Sequence, residues 1–146
     1  MAAFISHSQK DGATFSVLCA GLKGQGVEVW DPDSMGAGGS LRDQLREAIT
    51  NSDVCIFLAT QRSVESAWCM AEVGAFWGAD KHVIVYMADP AIDETQLPPQ
   101  LKGDLWTNNF DRLVRDVKKI IHEADERIEA ISFNVASITI QSFKSS

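Results

Sequence analysis

Residues 53–59 read DVCIFLA, and every position after Asp53 is apolar. A strand with one wet face alternates apolar and polar residues. This run does not, so both of its faces must be covered. HVIVYM at 82–87 reads the same way, and AFIS at 3–6 and VEVW at 27–30 are shorter strands of similar make. Between them lie stretches of helical period. Phe15, Leu18, Cys19 and Leu22 share a face, with Gly24 or Gly26 as the stop signal. Ser40 caps a helix whose Leu41, Leu45, Ala48 and Ile49 share a face, and Ser66 caps a third. The Pro-containing loop at 88–108 hides a short strand near Leu105 and Trp106, and a last helix carries Phe110, Leu113, Val114, Val117, Ile120 and Ile121. Apolar strands alternating with helices define an α/β chain: an open, doubly wound parallel sheet of about five strands with helices on both faces.

In such sheets the ligand crevice lies beyond the carboxyl ends of the strands. The loops in that position are SHSQKD, DPDSMGAGGS and TQRSVES. The tail departs from the alternation. Residues 1–125 read as one domain. Residues 126–146 carry period-two runs (Ile131, Phe133, Val135; then Ile138, Ile140) that read as strand, either an added hairpin or the start of a second domain.

Composition removes several classes of function. The 146 residues suit a single core, and 13 Lys and Arg against 20 Asp and Glu give a net charge of −7. That balance disfavours a binder of nucleic-acid backbone. No apolar run approaches the ~20 residues of a membrane span, and neither a leader peptide nor membrane attachment is expected. Cys19, Cys55 and Cys69, odd in number and set among apolar neighbours, read as reduced residues of a cytoplasmic protein. No His/Cys/Asp spacing resembles a metal site.

One charge is out of place. Between Ser66 and Ala79 the chain reads SAWCMAEVGAFWGA, with Glu72 its single charged residue. A carboxylate buried there, ionised and unpaired, costs several kcal/mol. Either Arg46, Arg62 or a backbone amide pairs it, or it lines a cavity where its charge is used. Trp68, one helical turn earlier, projects from the same face and could pack on a flat ring or a ribose.

Three segments in order carry a resemblance. AFISHSQKD at 3–11 is similar to the first box of the Toll/interleukin-1 receptor (TIR) domain. VWDPDSMGAGGSLRDQLREAITNSDVCIFLAT at 29–60 resembles its second box and BB loop, and SAWCMAEVGAF at 66–76 resembles the S-x-W-C-x-x-E segment of plant and bacterial members. The match spans about residues 3–87. It departs where Thr60 replaces a frequent Ser, Ser63 a common Tyr, and glycines the usual BB-loop proline.

The resemblance implies a flavodoxin-like TIR fold and one of two roles. One is a non-catalytic adaptor signalling by TIR–TIR contact. The other is an enzyme that cleaves NAD at the nicotinamide–ribose bond, a glycohydrolase or ADP-ribosyl cyclase, of the kind found in immune and antiphage effectors activated by self-association through the BB loop. In that second kind Glu72 holds the catalytic position, NAD is a substrate with no further cofactor, and Ser6, His7, Ser8, Asp31, Ser34, Met35, Gly38 and Trp68 are the substrate-binding candidates. Bland roles compete: Ser8 as a helix cap with Asp11, Asp31 as a turn opener, GAGGS at 36–40 as a flexible or partner-contacting turn. One carboxylate is chemically sufficient, because nicotinamide leaves a cationic nitrogen as a neutral base and needs no acid. A nucleoside N-glycosidase or deoxyribosyltransferase on a similar sheet would demand a second carboxyl group, for which Asp31 is the candidate.

Overall fold

The computed structural model describes residues 1–31, 39–101 and 105–145. Among these residues four parallel strands form one sheet in the order β1 (Ala2–Ser6), β2 (Ser52–Ala59), β3 (His82–Met87), β4 (Trp106–Thr107). Ile5 of β1 faces Ile56 of β2, Ile56 faces Ile84 of β3, and Tyr86 faces Thr107 of β4. The helices are α1 (Gly12–Gly24), α2 (Leu41–Asn51), α3 (Ala67–Gly78) and α4 (Phe110–Ser145).

All eight residues of β2 are buried, as its unbroken apolar run requires. Cys55, Phe57 and Ala59 enter a core with Ala48 of α2 and Cys69, Val73 and Phe76 of α3. Val54, Ile56 and Leu58 enter a second core with Leu18 and Leu22 of α1 and Leu113, Val114 and Val117 of α4. Strand alternation thus assigns neighbouring residues to opposite layers, with α2 and α3 on one face and α1 and α4 on the other.

The sequence reading is corrected in two places. VEVW makes no full strand: it forms one parallel bridge, Ala3 to Val29. The Ala3 N–H donates to Glu28 O at 2.8 Å and the Trp30 N–H to Ala3 O at 2.9 Å. Among the described residues the segment pairs only with β1, at the edge of the sheet. Its place beside β1 still makes the chain reverse direction across the sheet at β1, which is where such folds open a crevice. The tail is helical and contains no hairpin: α4 runs unbroken to Ser145. The residues that suggested a period of two also fall at helical spacings, and a helix already nucleated on the sheet propagates at little cost per residue.

The capping expectations hold. The Ser40 hydroxyl accepts from the Asp43 N–H at 3.1 Å and the Ser66 hydroxyl from the Cys69 N–H at 3.2 Å. At the other end of α2, Lys81 donates through Nζ to Ile49 O and, at 2.6 Å, to Ser52 O. It follows Asp80, whose φ of 58° turns the chain back toward α2. A cation on the last carbonyls satisfies acceptors the helix leaves open. Lys81→Met is expected to lower stability by about 1–2 kcal/mol in urea unfolding, with an unchanged denaturant slope.

Candidate active site

Glu72 lies in the core-facing stripe of α3, among Cys69, Val73 and Phe76 at spacings of three and four. Its side chain meets the end of β1, where the Ser6 hydroxyl donates to Glu72 Oε1 at 2.9 Å. Ser6 is fully buried and Glu72 is 8% exposed. Neither arginine named as a partner reaches it. Arg62 binds Asp11 at 3.1 Å, and Arg46 lies 4.0 Å from Asp43. Burial raises the Glu72 carboxyl from 4.5 to about 7, against the opposing pull of the Ser6 hydrogen bond. Burial also raises the neighbouring Cys55 and Cys69 thiols, which keeps them protonated.

Beside this pair opens a cleft of about 640 Å³. His7 and Trp68 line it, and each sits next to the buried pair in the chain: His7 follows Ser6, and Trp68 precedes Glu72 by one turn. Trp68 is 40% exposed. The His7 ring stacks on Phe15 with centroids 3.8 Å apart and planes within 7°. Burial lowers its pKa below the ordinary value, so it presents a neutral aromatic wall and no charge for a phosphate. Asp31 stands at the cleft edge. Ser6 and Glu72 themselves are not among the residues that line the cleft.

Ser8 takes the capping role: it starts the short turn Gln9–Asp11 and accepts from the Lys10 N–H at 3.3 Å. Ser34, Met35 and Gly38 lie outside the described residues. Lys23 and Trp30 also line the cleft, and sequence reasoning passed over both. Trp30 packs edge-on against Phe4, centroids 5.8 Å apart, and Phe4 stacks on Phe76 at 5.3 Å. Its position directly before Asp31 was the available signal. Lys23 gave none, since its place at the cleft depends on how α1 lies on the sheet.

A second polar cluster fixes the loops after β1 and β2. The Thr60 hydroxyl donates to Asp11 Oδ2 at 2.5 Å, and Arg62 donates to Asp11 Oδ1. Ser63 accepts from the Thr60 N–H at 2.8 Å and donates to Leu58 O at 2.7 Å. Thr60 and Ser63, the two departures from the resemblance noted above, therefore complete one closed network.

Among known proteins, the sequence model described as TIR domain matches residues 3–121. No curated protein matches the sequence. Of solved structures, the TIR domain of the Toll-related receptor TRR-2 from Hydra magnipapillata superposes with a TM-score of 0.64 at 17% identity, over 80% of this chain and 97% of that one. The TIR domains of the activated Roq1 resistosome, which directly recognizes the pathogen effector XopQ, give 0.51 at 21% identity, over 66% and 64%. At these identities the likeness carries the fold alone.

The carboxyl titration has a measurable consequence for stability. Between 4.5 and about 7 the folded chain keeps a proton that the unfolded chain has lost. Glu72 therefore costs progressively more stability as pH rises through that window, and the full cost is present above it. Glu72→Gln removes the charge, and its amide oxygen can still accept from Ser6. The variant is expected to be more stable than the parent by about 2–3 kcal/mol near pH 8, with the gain vanishing near pH 4. Parallel urea titrations across that range test this; a gain independent of pH would place the Glu72 pKa at its ordinary value.

Proposed function

The chain belongs to the TIR domain family, and from that premise we propose that it is an NAD-cleaving member with Glu72 as the catalytic residue. The observation that carries the reading is Glu72 itself: a carboxyl group held in an apolar stripe, tied to a hydroxyl instead of a cation, and poised near pH 7. A structural glutamate would gain from an arginine, and two were within sequence reach. Carboxylates tuned in this way concentrate at catalytic sites.

In this mechanism the nicotinamide and ribose lie in the cleft against Trp68 and the His7–Phe15 stack, with Lys23 available to the pyrophosphate and Asp31 to a ribose or the adenine. The C1′–N bond breaks with its electron pair leaving on nicotinamide, whose ring nitrogen becomes neutral. The ribose is left as an oxocarbenium-like cation. Glu72 stabilises that cation by its fixed charge. Ser6 occupies Oε1, which leaves Oε2 to accept from a ribose hydroxyl. Water captures the cation to give ADP-ribose and a proton, or a nucleophile within the same molecule closes a cyclic product.

Glu72 is shielded from the cleft in the chain as described. Activation then requires a movement that brings the carboxyl group into contact with the cleft, and self-association involving the BB loop is the proposed trigger. The setting is a cytoplasmic immune effector of the antiphage kind. The adaptor reading needs no such movement and is the outcome if catalysis fails.

The deciding experiment is NAD turnover by the purified chain at high protein concentration, with chromatographic analysis of products. Nicotinamide release that falls roughly a hundredfold or more in Glu72→Ala supports the enzyme. No turnover even on induced assembly would leave a TIR–TIR adaptor. The rate should climb as pH rises through about 7, because the ionised carboxyl is the active form. Ser6→Ala removes the hydroxyl that favours ionisation and should move that climb to higher pH. A loss of rate with no change in the pH profile would reduce Ser6 to a packing role.

A further inference from the structure

The cleft holds few charges. Among the described residues that line it, Lys23 is the only cation and Asp31 the only anion. His7 is neutral there, since burial lowers its pKa, and Gln9, Ser16 and Gln44 are polar without charge. The positions of the two ions are set by the fold. Phe15, Cys19 and Lys23 follow one another at intervals of four on the cleft side of α1, so the backbone of Lys23 lies about 12 Å along the helix from the His7–Phe15 stack. Burial raises the Cys19 thiol, Lys23 lowers it and Asp31 raises it, so both charges act on that one group.

The chain around Asp31 supplies no second cation. From Gly24 to Leu41 there is no Lys or Arg, whereas Glu28, Asp31 and Asp33 are acids. In α/β dinucleotide sites a carboxylate accepts from the 2′-hydroxyl of the adenosine ribose, and an arginine takes a 2′-phosphate. Asp31 is placed for the first of these roles. It follows the segment that bridges β1 through Val29, at the carboxyl end of the sheet, and lines the cleft. A 2′-phosphate adds about two negative charges near neutral pH. It would meet one cation against one anion, on a chain of net charge −7.

We propose, on the reading of the cleft as the NAD site, that it selects a dinucleotide whose adenosine ribose carries no phosphate, NAD over NADP, and that Asp31 sets this choice. Lys23 holds the pyrophosphate common to both. The nicotinamide ends of the two molecules are identical, so Glu72 and Trp68 take no part in the discrimination.

Equilibrium dialysis of the full chain carrying Glu72→Ala, against NAD and against NADP, reads the choice without turnover. NAD is expected to bind at least roughly tenfold more tightly. Asp31→Asn should narrow that ratio by about fivefold or more, chiefly through tighter NADP binding. Lys23→Gln should weaken both dinucleotides alike and leave the ratio within about twofold. Both positions are exposed, so thermal unfolding should match the parent; if Asp31→Asn unfolds, Asp31→Ser reads the same ratio. Equal affinity for the two, a ratio unmoved at Asp31, or no binding of either overturns the proposal. Cleavage is judged separately. Nicotinamide release without preference for NAD keeps the enzyme and removes the selectivity, and selective binding without release does the reverse.

Discussion

Burial of β2 on every side is the constraint from which the architecture follows. A strand with eight buried residues needs a strand along each edge and a helical layer on each face. β1 and β3 supply the edges, α2 and α3 one layer, α1 and α4 the other. With those places filled, the loops after β1 and β2 must emerge together at the carboxyl end of the sheet. Asp11, Thr60, Arg62 and Ser63 join them there. The site is a by-product of how the central strand is covered.

Glu72 shows the cost of that placement. Its stripe mates Cys69, Val73 and Phe76 seal the face between α3 and the sheet, and a charge in their midst works against the fold. Ser6 offsets part of the cost through a single hydroxyl. An arginine would offset more, but it would also cancel the field that a developing ribose cation would feel. Under the proposed NAD cleavage, stability and chemistry make opposite demands of this position.

Much of this was legible in the sequence where local pattern and tertiary demand agree. The apolar runs of β2 and β3, the caps at Ser40 and Ser66, and the isolated acid in α3 each announced themselves. What failed did so for identifiable reasons. The edge segment at residues 27–30 has strand composition but, among the described residues, pairs only with β1, and composition does not report neighbours. Ile131, Phe133 and Val135 fit two periods at once, and only the continuity of α4 decides between them. The partnership of Ser6 and Glu72 joins positions 66 residues apart, so no window on the chain contains it.

The unbroken course of α4 also fixes an angle. In a helix each residue turns about 100°, so the direction of Ile131 is set by the direction of Val117 on the sheet. With no loop between them, whatever the outer half touches stands at a defined azimuth to the cleft. One residue inserted near position 125 would leave both halves intact and rotate the outer one by about that same 100°. The helix is in this sense a dial: its length sets how far the outer half reaches from the sheet, and its phase sets which way it looks.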